Sequence, residues 1–221
     1  MNDCTLIIPA KYESESLPKV LEELESFKFH KIIILEEKDE ETISSIKNYN
    51  CKIIFQSGKG YGNALIEGIN NVETEHLCIF NADGSFDPKY LENMLSLCEE
   101  GNEFIFCSRY LKKGGSEDDT VITLLGNYIF SKLGRIFFSL KISDILYTYI
   151  LGKTKSFKLL NLKSNDFSLC VEIPINIKKR DLSYTDIPSF ERKRIAGFKK
   201  VNAFRDGFKI LFYMMKRFIF G

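Results

Sequence analysis

The sequence predicts an α/β domain with a mostly parallel central sheet and helices on both faces. Three observations carry that expectation. Short, continuous apolar runs alternate with segments of helical periodicity through the first half of the chain. The runs are of the kind a strand buried on both faces requires. Its 221 residues are 44% hydrophobic and 28% charged, ordinary values for a globular chain, which excludes wholesale disorder and fibrous repeats. No Pro/Gly/Ser-rich linker divides the chain.

The elements follow in order. Residues 4–8 (Cys-Thr-Leu-Ile-Ile) read as the first strand, and Leu17, Val20, Leu21 and Leu24 as a helix that tolerates Pro18 in its first turn. Strands are expected at 31–35, 52–55, 76–80 and 103–107, with helices at 41–48, 61–70 and 88–98 between them. The second half is less regular. Residues 120–140 form one long apolar helix or two, 183–190 a strand, and 203–220 an amphipathic helix. In that last helix Phe204, Phe208, Leu211, Met215 and Phe218 share a face away from Arg205, Lys209, Lys216 and Arg217. This organisation gives one domain over 1–202 and a C-terminal amphipathic helix over 203–221.

Charge is unevenly distributed. Residues 192–221 hold nine Lys/Arg against one Asp, a net +8, whereas residues 1–191 carry 22 basic and 29 acidic side chains. A basic end on an acidic body suits one anionic partner at one end, such as phosphate or a membrane surface, and not nucleic acid spread over a face. The longest stretch without a charge, 120–131, is shorter than a bilayer span, so no crossing segment is expected. The start, Met1-Asn2-Asp3-Cys4, shows no basic region leading into an apolar one, so no leader is expected. Cys4, Cys51, Cys78, Cys98, Cys107 and Cys170 are widely spaced and lack CxxC pairing, which reads as reduced, mostly buried thiols. His30 and His76 lie outside every motif, so neither a zinc site nor a histidine base is expected.

Three segments carry candidate chemistry. Phe80-Asn81-Ala82-Asp83-Gly84-Ser85 follows the fourth strand. An Asp released at a strand's carboxyl end can hold a hard divalent cation and approach a diphosphate; an Asx-type turn is the structural alternative. Pro9-Ala10-Lys11-Tyr12-Glu13 and Glu36-Glu37 end the first and second strands and place further carboxylates at the same sheet edge. Gly58-Lys59-Gly60-Tyr61-Gly62 opens a helix after a strand, as phosphate loops do. It fits neither GxGxxG nor GxxxxGK[ST], and a tight strand-to-helix turn explains it equally.

Taken in order, these segments resemble glycosyltransferase family 2, in the branch that includes dolichol-phosphate mannose synthase and bacterial polyprenyl-phosphate glycosyltransferases. Cys107-Ser108-Arg109-Tyr110 with Gly114-Gly115 is similar to that branch's S-R-Y…G-G, and Arg194-Ile195-Ala196-Gly197-Phe198-Lys199-Lys200 to its R-x-x-G-x-S-K. The likeness runs from about residue 4 to 210. The chain departs from the pattern at Asn81, where the family has the first Asp of D-x-D, and at Glu36-Glu37, where it has an Asp pair. Lys11 and Tyr12 replace an aromatic residue and Asn, and Lys199 replaces Ser. The segment 144–149 keeps the family's Asp without the following S-G, and the Q-x-x-R-W of processive synthases is absent.

The resemblance implies a GT-A fold and transfer, with inversion, of a sugar from a GDP- or UDP-linked nucleoside diphosphate sugar. It implies Mg²⁺ or Mn²⁺ on Asp83 and Asn81. Catalytic roles fall to Asp83, Arg109, Arg194 and Lys200, the three cations serving phosphate oxygens. Nucleotide-sugar contacts fall to Pro9, Ala10, Lys11, Glu13, Glu36, Glu37, Lys59, Gly60, Asn81, Ala82 and Asp83. A polyprenyl phosphate acceptor is already anionic and needs no strong base, whereas a saccharide hydroxyl would need one, for which Asp118, Asp119 and Asp144 are the candidates. The expected location is cytoplasmic, peripheral at the membrane face through residues 203–220. Two other readings keep the donor site: a soluble transferase acting on a saccharide in surface-polymer assembly, and a non-catalytic nucleotide-sugar-binding protein.

Overall fold

The computed structural model describes residues 4–221; Met1–Asp3, on which the expectation of no leader rests, lies outside the described residues. A seven-stranded sheet forms the centre, in the order β3-β2-β1-β4-β7-β5-β8. Its strands are β1 (Cys4–Pro9), β2 (His30–Leu35), β3 (Lys52–Phe55), β4 (His76–Ile79), β5 (Phe104–Ser108), β7 (Ile150–Lys153) and β8 (Tyr184–Pro188). Two further strands, β6 (Gly115–Ser116) and β9 (Phe190–Glu191), pair in parallel as a small second sheet. Alternate residues of β1 feed opposite faces: Leu6 and Ile8 pack with Val20, Leu21, Phe80 and Met94 on one side, and Ile7 packs with Leu65, Ile79, Phe106 and Ile173 on the other. Burial on both faces is why β1, β2, β4 and β5 read as unbroken apolar runs.

The helices are α1 (Leu17–Glu23), α2 (Glu40–Ile46), α3 (Tyr61–Asn70), α4 (Leu91–Glu99), α5 (Val121–Phe138), α6 (Thr154–Leu159), α7 (Leu169–Lys179) and α8 (Ala203–Phe220). Asp39 caps α2, its Oδ1 accepting from the Thr42 N–H, and Thr120 and Thr123 close a capping box on α5. From β1 the chain steps outward through β2 to β3, then returns to place β4 on the other side of β1. The carboxyl ends of β1 and β4 therefore flank a topological switch point, where open α/β sheets gather ligands.

Four features differ from the sequence expectation. β7, not among the expected strands, inserts between β4 and β5 and runs antiparallel to both, in a sheet that is mostly parallel as expected. The expected strand 183–190 is two strands in two sheets, divided at Ser189, whose N–H donates to the Ser108 carbonyl. Helix α7 is almost wholly buried and carries Pro174 inside it, so it showed neither amphipathic period nor unbroken helical signal. The expectation that no segment could span a bilayer counted only the charge-free stretch. Unbroken over 18 residues, α5 is among the described residues the one helix long and apolar enough by length and composition to do so.

Candidate active site

The switch point sets a lysine and two acids in one place. β1 runs out through Pro9 and buried Ala10 into Tyr12, which adopts φ +53°. That left-handed conformation strains a tyrosine and suits asparagine, the residue the family pattern has here. The turn is held by the Tyr12 N–H donating to Asp39 Oδ2 (2.6 Å) and the Glu13 N–H donating to Thr42 Oγ1 (3.0 Å). Glu13 is thereby turned inward, accepting from Ser16 Oγ at 2.7 Å and pairing with Lys200 Nζ at 3.4 Å.

Across the switch point, β4 releases Asn81-Ala82-Asp83. Asp83 is only 9% exposed; its Oδ1 accepts the Ser85 N–H (3.0 Å) and its Oδ2 the Arg194 Nη2–H (2.9 Å). So the Asx-type turn and the strand-end acid are the same residue. Asn81 donates through its amide nitrogen to Ser85 Oγ (3.3 Å), leaving Oδ1 without a donor among the described residues. Gly84 has φ +81°, and a Cβ there would meet Ile195 Cδ1 at 2.4 Å, so only glycine lets the following segment lie this close.

That segment, 192–200, is a strap across the carboxyl edge of the sheet. The Arg192 N–H donates to the Ser85 carbonyl and the Ile195 N–H to the Asp83 carbonyl, as an added strand would. Its cations meet acids from separate elements: Arg192 with Glu23 (2.8 Å), Arg194 with Asp83, Lys199 with Asp118 (3.0 Å) and Lys200 with Glu13. Arg194 Nε and Nη1 are buried with no partner. Buried donors left unpaired are costly, and here they lie beside the acid that would carry a metal. The geometry thus brings together Glu13, Asn81, Asp83, Asp118, Arg194, Lys199 and Lys200, although they come from widely separated parts of the chain.

Arg109 is corrected. Expected to serve phosphate oxygens, it is instead 8% exposed and occupied by carboxylates: Nε and Nη2 hold Asp144 in a bidentate pair (2.7 and 3.0 Å), and Nη1 meets Glu191 (3.0 Å) and Asp119 (3.5 Å). Burial alone would lower the guanidinium's pKa, but Asp144 and Glu191 raise it well above its ordinary value. Burial pushes Glu191 up, against the pull of Arg109 and Ser116. Asp144, fully buried in this pair, and Asp119, bonded to Tyr110 Oη and Arg109, are not free to act as bases. Glu191 was missed because nothing in its local sequence marks it; β9 alone brings it to Arg109.

The glycine loop resolves toward packing. Gly60 adopts φ +101°, and a Cβ there would lie 2.2 Å from the Asn165 carbonyl oxygen; at Gly62 it would lie 2.1 Å from that of Ser164. The glycines admit the backbone of residues 164–166, with the Asn63 N–H donating to Asn165 O (3.2 Å), and Lys59 is exposed. Gly62→Ala is expected to cost about 1–3 kcal/mol of stability by overpacking, measured by chemical denaturation. Retained stability with weakened nucleotide binding would instead restore the phosphate-cradle reading.

On the second strand, Glu36 takes hydrogen bonds from Lys11 and Lys38 (2.7 Å each), which hold its carboxyl at about 2. Lys11 is thereby engaged with Glu36, and Glu37 is exposed. Asp39, two residues further on and 3% exposed, is the acid that shapes the β1 turn. Both histidines begin strands, His30 in β2 and His76 in β4, at the amino edge of the sheet and away from this site.

A divalent cation can be tested against this donor set. Asp83 and Asn81 offer hard oxygen atoms, which suit Mg²⁺ or Mn²⁺. Among the described residues no three His, Cys, Asp or Glu side chains form a metal cluster, so the protein by itself supplies no cage. That is the arrangement of a site completed by a ligand's phosphate oxygens, and the residues fit it.

Comparison with known proteins bears on this arrangement. A model of glycosyl transferase family 2 matches residues 5–160. Glycosyltransferase AglJ of Haloferax volcanii is 21% identical over 217 residues, covering 96% of this chain and 71% of that protein. Among solved structures, glucosyl-3-phosphoglycerate synthase from Mycobacterium tuberculosis, in complex with Mn²⁺, UDP-glucose and phosphoglyceric acid, superposes with a TM-score of 0.74 at 12% identity, covering 99% of this chain and 80% of that one. Mannosyl-3-phosphoglycerate synthase from Rubrobacter xylanophilus gives 0.70 at 14% identity, covering 98% and 72%. The structural likeness shows the fold, that of the GT-A glycosyltransferases. Because the family match takes in nearly everything from β1 through α6, including both sides of the switch point, the chain belongs to glycosyl transferase family 2.

Proposed function

We propose that the protein transfers a sugar, with inversion, from a nucleoside diphosphate sugar to a polyprenyl phosphate, within the branch resembling dolichol-phosphate mannose synthase. The observation that carries the donor half is the meeting of Asp83, Asn81, Arg194 and Lys200 at the β1–β4 switch point. Asp83 and Asn81 would hold Mg²⁺ or Mn²⁺, which when bound would supply charge neutralisation at the diphosphate. The neighbour solved with Mn²⁺ and UDP-glucose supports that assignment. Arg194, whose Nε and Nη1 lack partners, and Lys200, on releasing Glu13, bind diphosphate oxygens, while Lys199 stays on Asp118. Pro9, Ala10, Glu13, Glu36 and Glu37 border the nucleotide. Arg109 is a positioning residue that fixes Asp144, Glu191 and the base of α5.

The acceptor half rests on what the acids are doing. The candidate bases Asp118, Asp119 and Asp144 are each tied to a cation, and the histidines lie at the opposite sheet edge. A phosphate acceptor needs no base. Its oxygen forms the bond to the anomeric carbon as the bond from that carbon to the diphosphate breaks, and the electron pair leaves with the nucleoside diphosphate. No proton moves. A lipid acceptor puts the protein at the cytoplasmic membrane face. With Mn²⁺, UDP- and GDP-sugars should be tested against a short polyprenyl phosphate in detergent, phosphoglycerate and an oligosaccharide. Transfer to the polyprenyl phosphate alone is expected. Transfer to phosphoglycerate or the oligosaccharide would overturn the acceptor, and nucleotide binding without any transfer would favour the non-catalytic reading.

A further inference from the structure

Helix α5 exposes most of its apolar side chains. Its fully buried residues are Asn127, Ser131 and Gly134, small or polar side chains set by specific contacts, and only Phe130, Leu133 and Phe138 add partly buried apolar packing on the core. Asn127 donates to Tyr110 Oη (2.8 Å), Ser131 Oγ accepts the Ile145 N–H (3.1 Å), and a Cβ at Gly134 would lie 2.7 Å from Ile145 Cδ1. The apolar side chains Val121, Ile122, Leu124, Leu125, Tyr128 and Ile129 point outward, Val121 being 81% exposed. Helix α8 lies alongside in the same direction: Gly207 is beside Phe130, and Phe218 packs on Phe137 and Phe138. It too buries a narrow stripe, Asp206, Ile210 and Met214, and turns Phe204, Phe208, Phe212, Met215 and Ile219 outward. Scattered exposed apolar residues are ordinary; a continuous face over two adjoining helices marks a binding surface.

We propose that the outward faces of α5 and α8 form one docking surface for an anionic lipid bilayer, with the first three turns of α5 among the acyl chains. Charge selects this occupant. From Val121 to Ser131 α5 carries no charge, and its cations, Lys132 and Arg135, follow where long side chains can reach headgroups. Arg205, Lys209 and Lys216 flank the apolar face of α8. No acid faces outward on either helix, since Asp206 is buried and accepts the Asn202 N–H. Position agrees: α5 begins two residues after Asp119 and α8 two after Val201, so both helices start beside the strap, whose Phe198 is 78% exposed. The mouth of the site is thus set against the surface. Spanning is excluded while the domain is folded, because β6 before α5 and Ser143 after it, bonded to Asp186, are both tied to the domain.

This inference goes beyond the catalytic reading and stands on the helices alone. Its test uses the full chain, floated with phosphatidylglycerol-containing or pure phosphatidylcholine vesicles. Binding to the anionic vesicles is expected, at least tenfold weaker on phosphatidylcholine or in 0.5 M salt. The triple variant Leu124→Ser, Leu125→Ser, Ile129→Ser, altered only at exposed positions, should lose at least tenfold in vesicle affinity with an unchanged denaturation midpoint. The chain has no tryptophan, so Leu125→Trp gives a clean probe, and its fluorescence should be quenched by lipids brominated in the acyl chain. The proposal is overturned if the wild-type protein stays off anionic vesicles, if the triple variant binds like wild type, or if the face proves to hold two copies of the chain together in solution. Vesicle binding without any affinity for UDP or GDP would sink the transferase reading and leave this one standing.

Discussion

Asp83→Ala should reduce Mn²⁺-supported binding of the nucleoside diphosphate by at least ~10²-fold, about 2.7 kcal/mol, to the level seen with chelator present. The reason is the donor set. Asp83 is released two residues after Asn81, whose Oδ1 accepts no donor among the described residues, and no three-residue cluster there stands ready to replace it. Removing it leaves a metal held only by substrate phosphates and water. The fold should persist, because the side chain makes one turn bond to Ser85 and one bridge to Arg194 that is 17% exposed on the arginine side. Asn81→Asp should keep or tighten the same binding, since an anionic oxygen replaces a neutral one. Calorimetry with UDP and GDP, with Mn²⁺ and with chelator, reads both variants. Equal affinity of Asp83→Ala and wild type in Mn²⁺ would remove the metal assignment, and weakened binding by Asn81→Asp would mean that Asn81 acts through its amide N–H.

That prediction starts from a residue the sequence shows openly, and the reason is physical. Strands β1, β2, β4 and β5 are continuous apolar runs because they are buried on both faces, so their ends, and the acids released there, can be located to within a residue or two. Arg194 and Lys200 are legible as a pair because the spacing of the strap is local. What could not be read depends on distant pairing. The partners of Arg109 lie at Asp144 and Glu191, and no local pattern distinguishes an arginine meeting phosphate from one neutralising buried carboxylates. β7 is four residues long and antiparallel, joined to its neighbours only by tertiary pairing. The glycines of 58–62 announce a close approach but not to what, and the answer, the backbone of residues 164–166, is a hundred residues away. Periodicity found the helical character of α5 and α8 but not which way their apolar faces turn, since an apolar stripe says that a face avoids water without saying whether protein or lipid covers it.

Arg109→Ala is expected to destabilise the protein by about 3–5 kcal/mol, the cost of leaving buried charge uncompensated. Three acids, Asp144, Glu191 and Asp119, converge on this guanidinium. Asp144 is fully buried, so water cannot take the arginine's place without opening the junction of β5, β9 and α5. Lysine should rescue poorly, because one ammonium cannot reproduce the fork that meets both oxygens of Asp144 while also reaching Glu191. Asp144→Asn in the Arg109→Ala background should recover part of the loss by removing one orphaned charge. The pH dependence separates this account from a phosphate-binding role. Burial holds Glu191 above its ordinary carboxyl value even with Arg109 present, and removing the arginine should raise it further. A group whose folded pKa is raised binds protons more readily folded than unfolded, so the stability of Arg109→Ala should fall as pH rises through that folded pKa, and the variant should be least impaired in mild acid. Chemical denaturation from pH 5 to 8 measures this. A variant as stable as wild type across that range, with only nucleotide affinity diminished, would return Arg109 to the phosphate.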